Sequence, residues 1–298
     1  MARTRKKSSP PREFKFIDLF AGIGGFHLAF HRNGARCVFA SEWDQNARKT
    51  YETNFSKIDP ELFKANRFAG DITKVDAKSI PNFDILTGGF PCQAFSQAGF
   101  KKGFNDVRGT LFFDIARILK EKRPAAFFIE NVRHLKNHDG GKTFATIKRV
   151  IEEDLGYSFY YKVIKASDFG LPQHRPRLYM VGFRDKNIPF EFPEPIPLKE
   201  NMSHIFGAKV NREIGYTLRL GGRGSGIKDR RNWDAYLVDG KVKRLTPKEG
   251  RRMMGFPENF DFPVSEVQAM RQLGNSVAVN AIEAVSKQLI ATLHRYYG

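Results

Sequence analysis

Only two cysteines, Cys37 and Cys92, occur among the 298 residues, which excludes a disulfide framework. No Cys/His spacing resembles a zinc site, so no metal is expected. No run of 18 or more apolar residues occurs, which leaves a membrane span without material. The N-terminal MARTRKKSSPPREF is basic but lacks the apolar segment of a secretory signal. These absences fit a reducing cytoplasm, in which both thiols are free. Acid is scarce as well: 32 Asp and Glu stand against 50 Lys and Arg, a formal net charge of +18. Such a surplus implies an anionic partner, and nucleic acid fits better than a membrane surface because no basic amphipathic helix is evident. Charge of this kind gives affinity without sequence discrimination. Residues 1–13 read as a disordered basic tail whose Arg3, Arg5, Lys6 and Lys7 either meet a polyanion or are simply solvated.

Hydrophobic residues make up 41% of the chain, enough for a folded protein. The apolar run FKFIDLF (14–20) ends in the glycine-rich AGIGGF, then come a helix-like HLAFHRN and a second apolar run, CVFASEWD (37–44). FDILTGGF, TLFFDIARILKEK, AAFFIENV, TFATIKRVIEEDL, YSFYYKVIKA and RLYMVGFR continue the pattern up to Arg184. That alternation predicts an α/β fold, a doubly wound parallel sheet. After a proline-rich connector the texture turns to Gly and Arg, which predicts a small second domain. The expected division is a catalytic body of residues 14–185 plus 264–298 and a small domain of residues 186–263.

The AGIGG loop offers Ala21, Gly22, Gly24 and Gly25 at a helix N-terminus, where backbone can approach an anionic ligand; a plain tight βα turn has the same composition. Glu42 closes the second strand, where a carboxylate can take ribose hydroxyls, and Trp43 beside it can stack on an adenine ring. Asp71 of GDIT can take the adenine amino group. S-adenosylmethionine fits such a site, with a carboxylate where a dinucleotide carries pyrophosphate. In GGFPCQAFSQAG, Pro91 and the preceding glycines place Cys92 at the carboxyl edge of the sheet, where open α/β sheets bind ligands. Glu130, at the end of AAFFIENV, belongs to the same edge, as a partner of the thiol or as a helix cap. In QHRPR, Arg175 and Arg177 alternate on an extended segment and share a face, with Gln173 beside them; a solvated basic loop is the competing reading.

DLFAGIGGF, SEWD, GDIT, GGFPCQAFS, ENV, QHRPR, LTPKEGRRMMGFP and QLGNSVAVN follow one another in the order of the bacterial DNA (cytosine-5) methyltransferases, and from Phe14 to its C-terminus the chain resembles that family. The resemblance implies a Rossmann-like methyltransferase sheet with a small DNA target-recognition domain. It implies Cys92 as the nucleophile that adds to cytosine C6, and Gln93 next to it. Glu130 would contact the ring N3 and amino group, Arg175 would hold base and carboxyl, and Arg177 would neighbour it. Phe20, Glu42, Trp43, Asp71, Leu111 and Asn275 match cofactor-lining positions, and Ile72 and Pro91 stand with them. FSQAGFKKGFNDVRGT (95–110) resembles the loop that closes over the extruded base, with Ser96, Lys101, Lys102 and Arg108 set to touch phosphates. Sequence choice is expected from Thr217-Leu218 and the following Arg219, Arg223, Lys228, Arg230 and Arg231.

The implied reaction is methyl transfer from S-adenosylmethionine, yielding S-adenosylhomocysteine, to a flipped cytosine in double-stranded DNA. The enzyme is expected as a monomer, with a cognate restriction endonuclease as functional partner. An RNA cytosine methyltransferase and a catalytically silent DNA-binding regulator are the alternatives. The arginine-rich insert favours DNA over RNA, and the full set of expected catalytic residues counts against the silent regulator.

Overall fold

The computed structural model describes residues 12–65, 67–90, 111–219, 221 and 223–297. The first half runs β1 (Lys15–Leu19), α1 (Gly25–Arg32), β2 (Arg36–Ser41), α2 (Gln45–Phe55), α3 (Pro60–Lys64), β3 (Phe68–Ala69), β4 (Ile85–Gly89), α4 (Leu111–Lys122), β5 (Ala126–Val132), α5 (Lys142–Arg149), β6 (Tyr160–Lys165) and β7 (Pro176–Phe183). These strands form one seven-stranded sheet in the order β3-β2-β1-β4-β5-β7-β6. Neighbouring side chains on a strand alternate between its two faces. Phe16 and Phe128 therefore join α1 in one apolar cluster, while their chain neighbours Ile17 and Phe127 join α4 and α5 in the other.

The parallel pairing of the sheet stops at one place. β1 to β5 pair parallel, but β7 runs antiparallel between β5 and β6. Only ten residues separate β6 from β7, with no α-helix among them, and a parallel return needs a crossover of a dozen or more. The reversal matters for the site: the beginning of β7 lies at the same sheet edge as the ends of β1, β2, β4 and β5.

Beyond Arg184 come α6 (Met202–Phe206), the hairpin β8 (Ala235–Val238) and β9 (Lys241–Arg244), α7 (Pro247–Met254), α8 (Glu266–Asn275) and α9 (Val279–Tyr297). α7 is fixed at its start by a capping box, in which the Thr246 N–H donates to Glu249 Oε2 at 2.9 Å. α9 returns to pack on α1. Leu218, Trp233 and Tyr236 of the small region share the apolar cluster of Met253, Leu273 and α9, so its core is continuous with that of the sheet. Among the described residues no helix is long and apolar enough to cross a membrane.

Candidate active site

A cavity of about 660 Å³ opens along the edge where β1, β2, β4 and β5 end and β7 begins. Each lining segment follows from that geometry. The chain leaves β1 through Phe20, held at a left-handed φ of 55°, and Gly22 at φ 57°. A non-glycine residue in that region is strained and persists only where its surroundings impose it. The Gly22 N–H donates to Glu42 Oε2 at 2.8 Å, and the Asp44 N–H donates to Glu42 Oε1 at 2.8 Å. One carboxylate thus ties the turn after β1 to the turn after β2. Burial pushes Glu42 up, and these N–H donors draw it back down. Trp43 beside it is 75% exposed, a large flat apolar surface at the cavity rim. Asp71 accepts from the Thr73 N–H at 3.0 Å and hydroxyl at 2.7 Å, which hold its carboxyl below the usual range.

Phe20, Gly22, Glu42, Trp43, Asp71, Ile72, Leu111 and Asn275 all line the cavity. Ala21, Gly24 and Gly25 do not. Gly24 is required elsewhere: at φ +86°, a β-carbon there would lie 2.2 Å from the Phe55 ring. The Gly22 position is different, for nothing lies within 4 Å of where its β-carbon would be. Backbone open to the cavity, the exposed indole face of Trp43 and the carboxylates of Glu42 and Asp71 would accommodate a nucleoside-bearing ligand. S-adenosylmethionine fits these residues.

At the other end Glu130 and Arg177 form an ion pair, Oε1 to Nε at 3.0 Å, with the side chains 9% and 14% exposed. Their elements are neighbours in the sheet, so both reach the same edge. Burial raises the Glu130 carboxyl above its ordinary value, opposed first by Arg177 and then by Arg175. Arg175 lines the cavity beside this pair. Its guanidinium donates to the Leu218 carbonyl at 3.1 Å, the Gly274 carbonyl at 2.9 Å and the Ser276 carbonyl. Burial and the like charge of Arg177 push it down to about 9, still charged at neutral pH.

Several contributors had no role assigned from the sequence. Asn131 donates to the Phe90 carbonyl at 2.8 Å, fixing the end of β4. Its position between two motif residues was visible, but not its partner. Gln268, Arg271, Gln272 and Ser276 line the cavity from α8 and the residue that follows it. Gln272 and Ser276 belong to the quoted QLGNSVAVN motif, whereas helical spacing was the only signal for Gln268 and Arg271. Pro91, Cys92, Gln93, Ser96, Lys101, Lys102 and Arg108 lie outside the described residues.

In the small region, Leu218 is buried and Thr217 half-buried. Arg223 Nε lies 3.7 Å from Asp234 Oδ2, and its Nη2 lies 3.3 Å from Glu266 Oε1. Arg231 pairs with Asp229 at 2.8 Å. Arg219, Lys228 and Arg230 are exposed and have no ion pair among the described residues.

The chain matches the family model of C-5 cytosine-specific DNA methylases over residues 14–221 and 212–291. It is 44% identical over 318 residues to the Type II methyltransferase M.SsoII of Shigella sonnei, covering 94% of this chain and 81% of that protein. To M.HhaI of Haemophilus parahaemolyticus it is 41% identical over 321 residues, covering 94% and 95%. Among solved structures, a putative DNA modification methyltransferase encoded within an E. coli prophage aligns with a TM-score of 0.71 at 20% identity, covering 94% of this chain and 99% of that one. The S. pombe Dnmt2 methyltransferase aligns at 0.70 and 19% identity, covering 96% and 100%. Those two likenesses concern the fold. Matched over nearly all its length, the chain belongs to the C-5 cytosine-specific DNA methylase family and is a DNA (cytosine-5) methyltransferase.

Proposed function

We propose that this enzyme methylates C5 of a cytosine rotated out of duplex DNA, using S-adenosylmethionine and a transient bond between Cys92 and cytosine C6. The observation that carries the reading is the single cavity joining the Glu42–Trp43 end to the Glu130–Arg177 pair. When bound, S-adenosylmethionine supplies an electrophilic methyl group and leaves as S-adenosylhomocysteine.

Cytosine C5 is a weak nucleophile, so the ring needs activating. The Cys92 thiolate adds to C6, placing electron density on C5. Cationic Arg175 and Arg177 belong to the same edge and favour the thiolate over the thiol. Glu130, with its raised proton affinity, suits a carboxyl that donates to ring N3 and accepts from the exocyclic amino group. Arg177 keeps it oriented. Once C5 carries the methyl group, its proton leaves to a base, the C6–S bond breaks and the thiolate returns. Asn131 contributes by fixing the carbonyl of Phe90, two residues before the nucleophile.

A base inside a duplex cannot be reached by a thiol, so the target has to be extruded. Ser96, Lys101 and Arg108, which lie outside the described residues, are the candidates for phosphate contacts from the segment after the nucleophile. Arg219, Lys228 and Arg230 are among the cations of the target-recognition region that have no ion pair among the described residues. Relatives named Type II methyltransferases support a role as the modification enzyme of a restriction system. Action in the cytoplasm as a monomer, with a cognate nuclease as functional partner, completes the proposal.

Transfer of labelled methyl groups to duplex DNA and to tRNA tests the reading. Duplexes substituted with 5-fluorocytosine should in addition trap the enzyme covalently, because the fluorine at C5 cannot leave as a proton does. Transfer to tRNA alone, or active methylation of DNA without trapping, overturns it.

A further inference from the structure

Gln173 and Arg175 precede β7, are 0% and 2% exposed, and between them hold both polar backbone groups of Leu218. Gln173 Oε1 accepts the Leu218 N–H at 3.0 Å, while Arg175 Nη1 donates to the Leu218 carbonyl at 3.1 Å. Gln173 is itself fixed, its Nε2 donating to the Met253 carbonyl at 3.0 Å. Backbone bonds add to this grip: the His174 N–H donates to the Gly215 carbonyl at 3.0 Å, and the Gly215 N–H to the Pro172 carbonyl at 2.9 Å. Leu218 opens the arginine-rich segment that carries Arg219 and Arg223.

The same guanidinium reaches the opposite way. Arg175 Nη2 donates to the carbonyls of Gly274 and Ser276, the two residues that flank Asn275. All three of these residues line the cavity on the side of α8. One buried cation therefore bridges the start of the target-recognition segment and the wall of the cofactor site. Arg175 Nε already lacks a hydrogen-bond partner among the described residues, so the three carbonyls bound by its terminal nitrogens are all the compensation this buried cation has. The three acceptors are favoured in place together, so shifting one is felt by the other two.

We infer that Arg175 and Gln173 are positioning residues that couple the docking of target DNA to retention of the methyl donor. The inference rests on the function proposed above. DNA pulling on residues 217–223 acts on the Leu218 carbonyl, and through Arg175 on the carbonyls beside Asn275. Coupling of this kind is reciprocal: donor retention affects DNA affinity by the same factor. Arg175 is suited to this because a planar guanidinium serves three acceptors in fixed directions, which a lysine ammonium does not reproduce.

Equilibrium dialysis of labelled S-adenosylhomocysteine, with and without saturating sheared unmethylated plasmid DNA, tests the coupling. Wild type, Gln173→Met and Arg175→Lys are compared, with thermal unfolding as the control for folding. In the wild type, DNA should tighten retention about fivefold or more. Gln173→Met removes the bonds to Leu218 and Met253 and leaves the bonds of Arg175 to Gly274 and Ser276 in place, so its affinity without DNA should stay within about twofold of wild type while the effect of DNA falls below about twofold. Arg175→Lys should lose affinity and coupling together. Should that variant not fold, Gln173→Met decides alone. A folded Gln173→Met with full coupling overturns the inference. A wild type that retains both ligands without mutual effect overturns it and leaves the proposed reaction standing; a wild type that retains neither ligand removes both.

Discussion

Glu130 and Arg223 each sit in an ion pair, yet the two pairs serve opposite ends. The Glu130–Arg177 pair is closed at 3.0 Å with both side chains under 15% exposed. Arg223 meets Glu266 at 3.3 Å with the side chains 30% and 56% exposed, and it also leans on the buried Asp234. At this end of the cavity desolvation makes charge scarce and directed, so Glu130 and Arg177 partner each other and still face the space where a substrate fits. In the arginine-rich segment charge is abundant and solvated, and part of it is consumed in holding the segment's own shape. Position in a basic stretch therefore says less about DNA contact than the absence of an internal acid does.

The strongest test of the cavity's half of this contrast is Cys92→Ser. If the cavity is the reaction chamber, methyl transfer falls by at least about 10³-fold, the scale seen when a covalent nucleophile is removed. DNA retention on a filter should persist. A variant that keeps its turnover would mean that the edge of the sheet does not hold the nucleophile.

Next in size is Glu130→Gln, for which kcat/KM should drop by about 10²–10⁴-fold, the range for a lost proton-handling group. The sign of the pH effect follows from the environment. Burial raises the carboxyl, so the folded enzyme holds this proton to higher pH than the unfolded chain does. What the protonated group contributes is complete below the ordinary glutamate value and fades as pH rises through the raised one. The alkaline limb of the wild-type pH–rate profile should therefore be missing from the residual activity of Glu130→Gln. An unchanged limb would assign it to another group.

Much of this was legible because apolar runs and glycine turns are local signals. KFIDL, FDILTGGF and AAFFIENV announced strands, and their final residues, Glu130 among them, announced the edge. Strand direction was not local: nothing in RLYMVGFR states that β7 runs antiparallel, and only the missing crossover helix before it does so. A β-carbon at Gly24 would meet the ring of Phe55, thirty-one positions away, a packing demand that the glycine-rich turn alone could not reveal. Arg175 illustrates the same limit. Its type and position pointed to the site, while its acceptors lie 43, 99 and 101 residues along the chain.

Smaller effects separate the two classes of arginine. Arg219→Ala, Lys228→Ala and Arg230→Ala remove cations with no internal acid, so each one that touches a phosphate should lower the salt slope of DNA binding by about 1. Their melting temperatures should match the wild type. Affinity measured across a salt series reads this directly, and three unchanged slopes would move the DNA interface off the segment.

Arg223→Ala should do the reverse. It removes the partner of Glu266 and one of the two cations near Asp234, whose carboxylate is buried and keeps only Arg244 at 2.9 Å. Its Nη2 also donates to the Leu245 carbonyl at 3.1 Å. Arg223 is itself partly solvated, so the loss is limited to about 1–2 kcal/mol, from a buried acceptor left under-satisfied. In a chain of this size that lowers the melting temperature by about 1.5–3 °C. The salt slope should stay at the wild-type value, because this guanidinium is already spent inside the protein. A shallower slope with an unchanged melting temperature would place Arg223 on a phosphate and show that exposed pairs here open when DNA arrives.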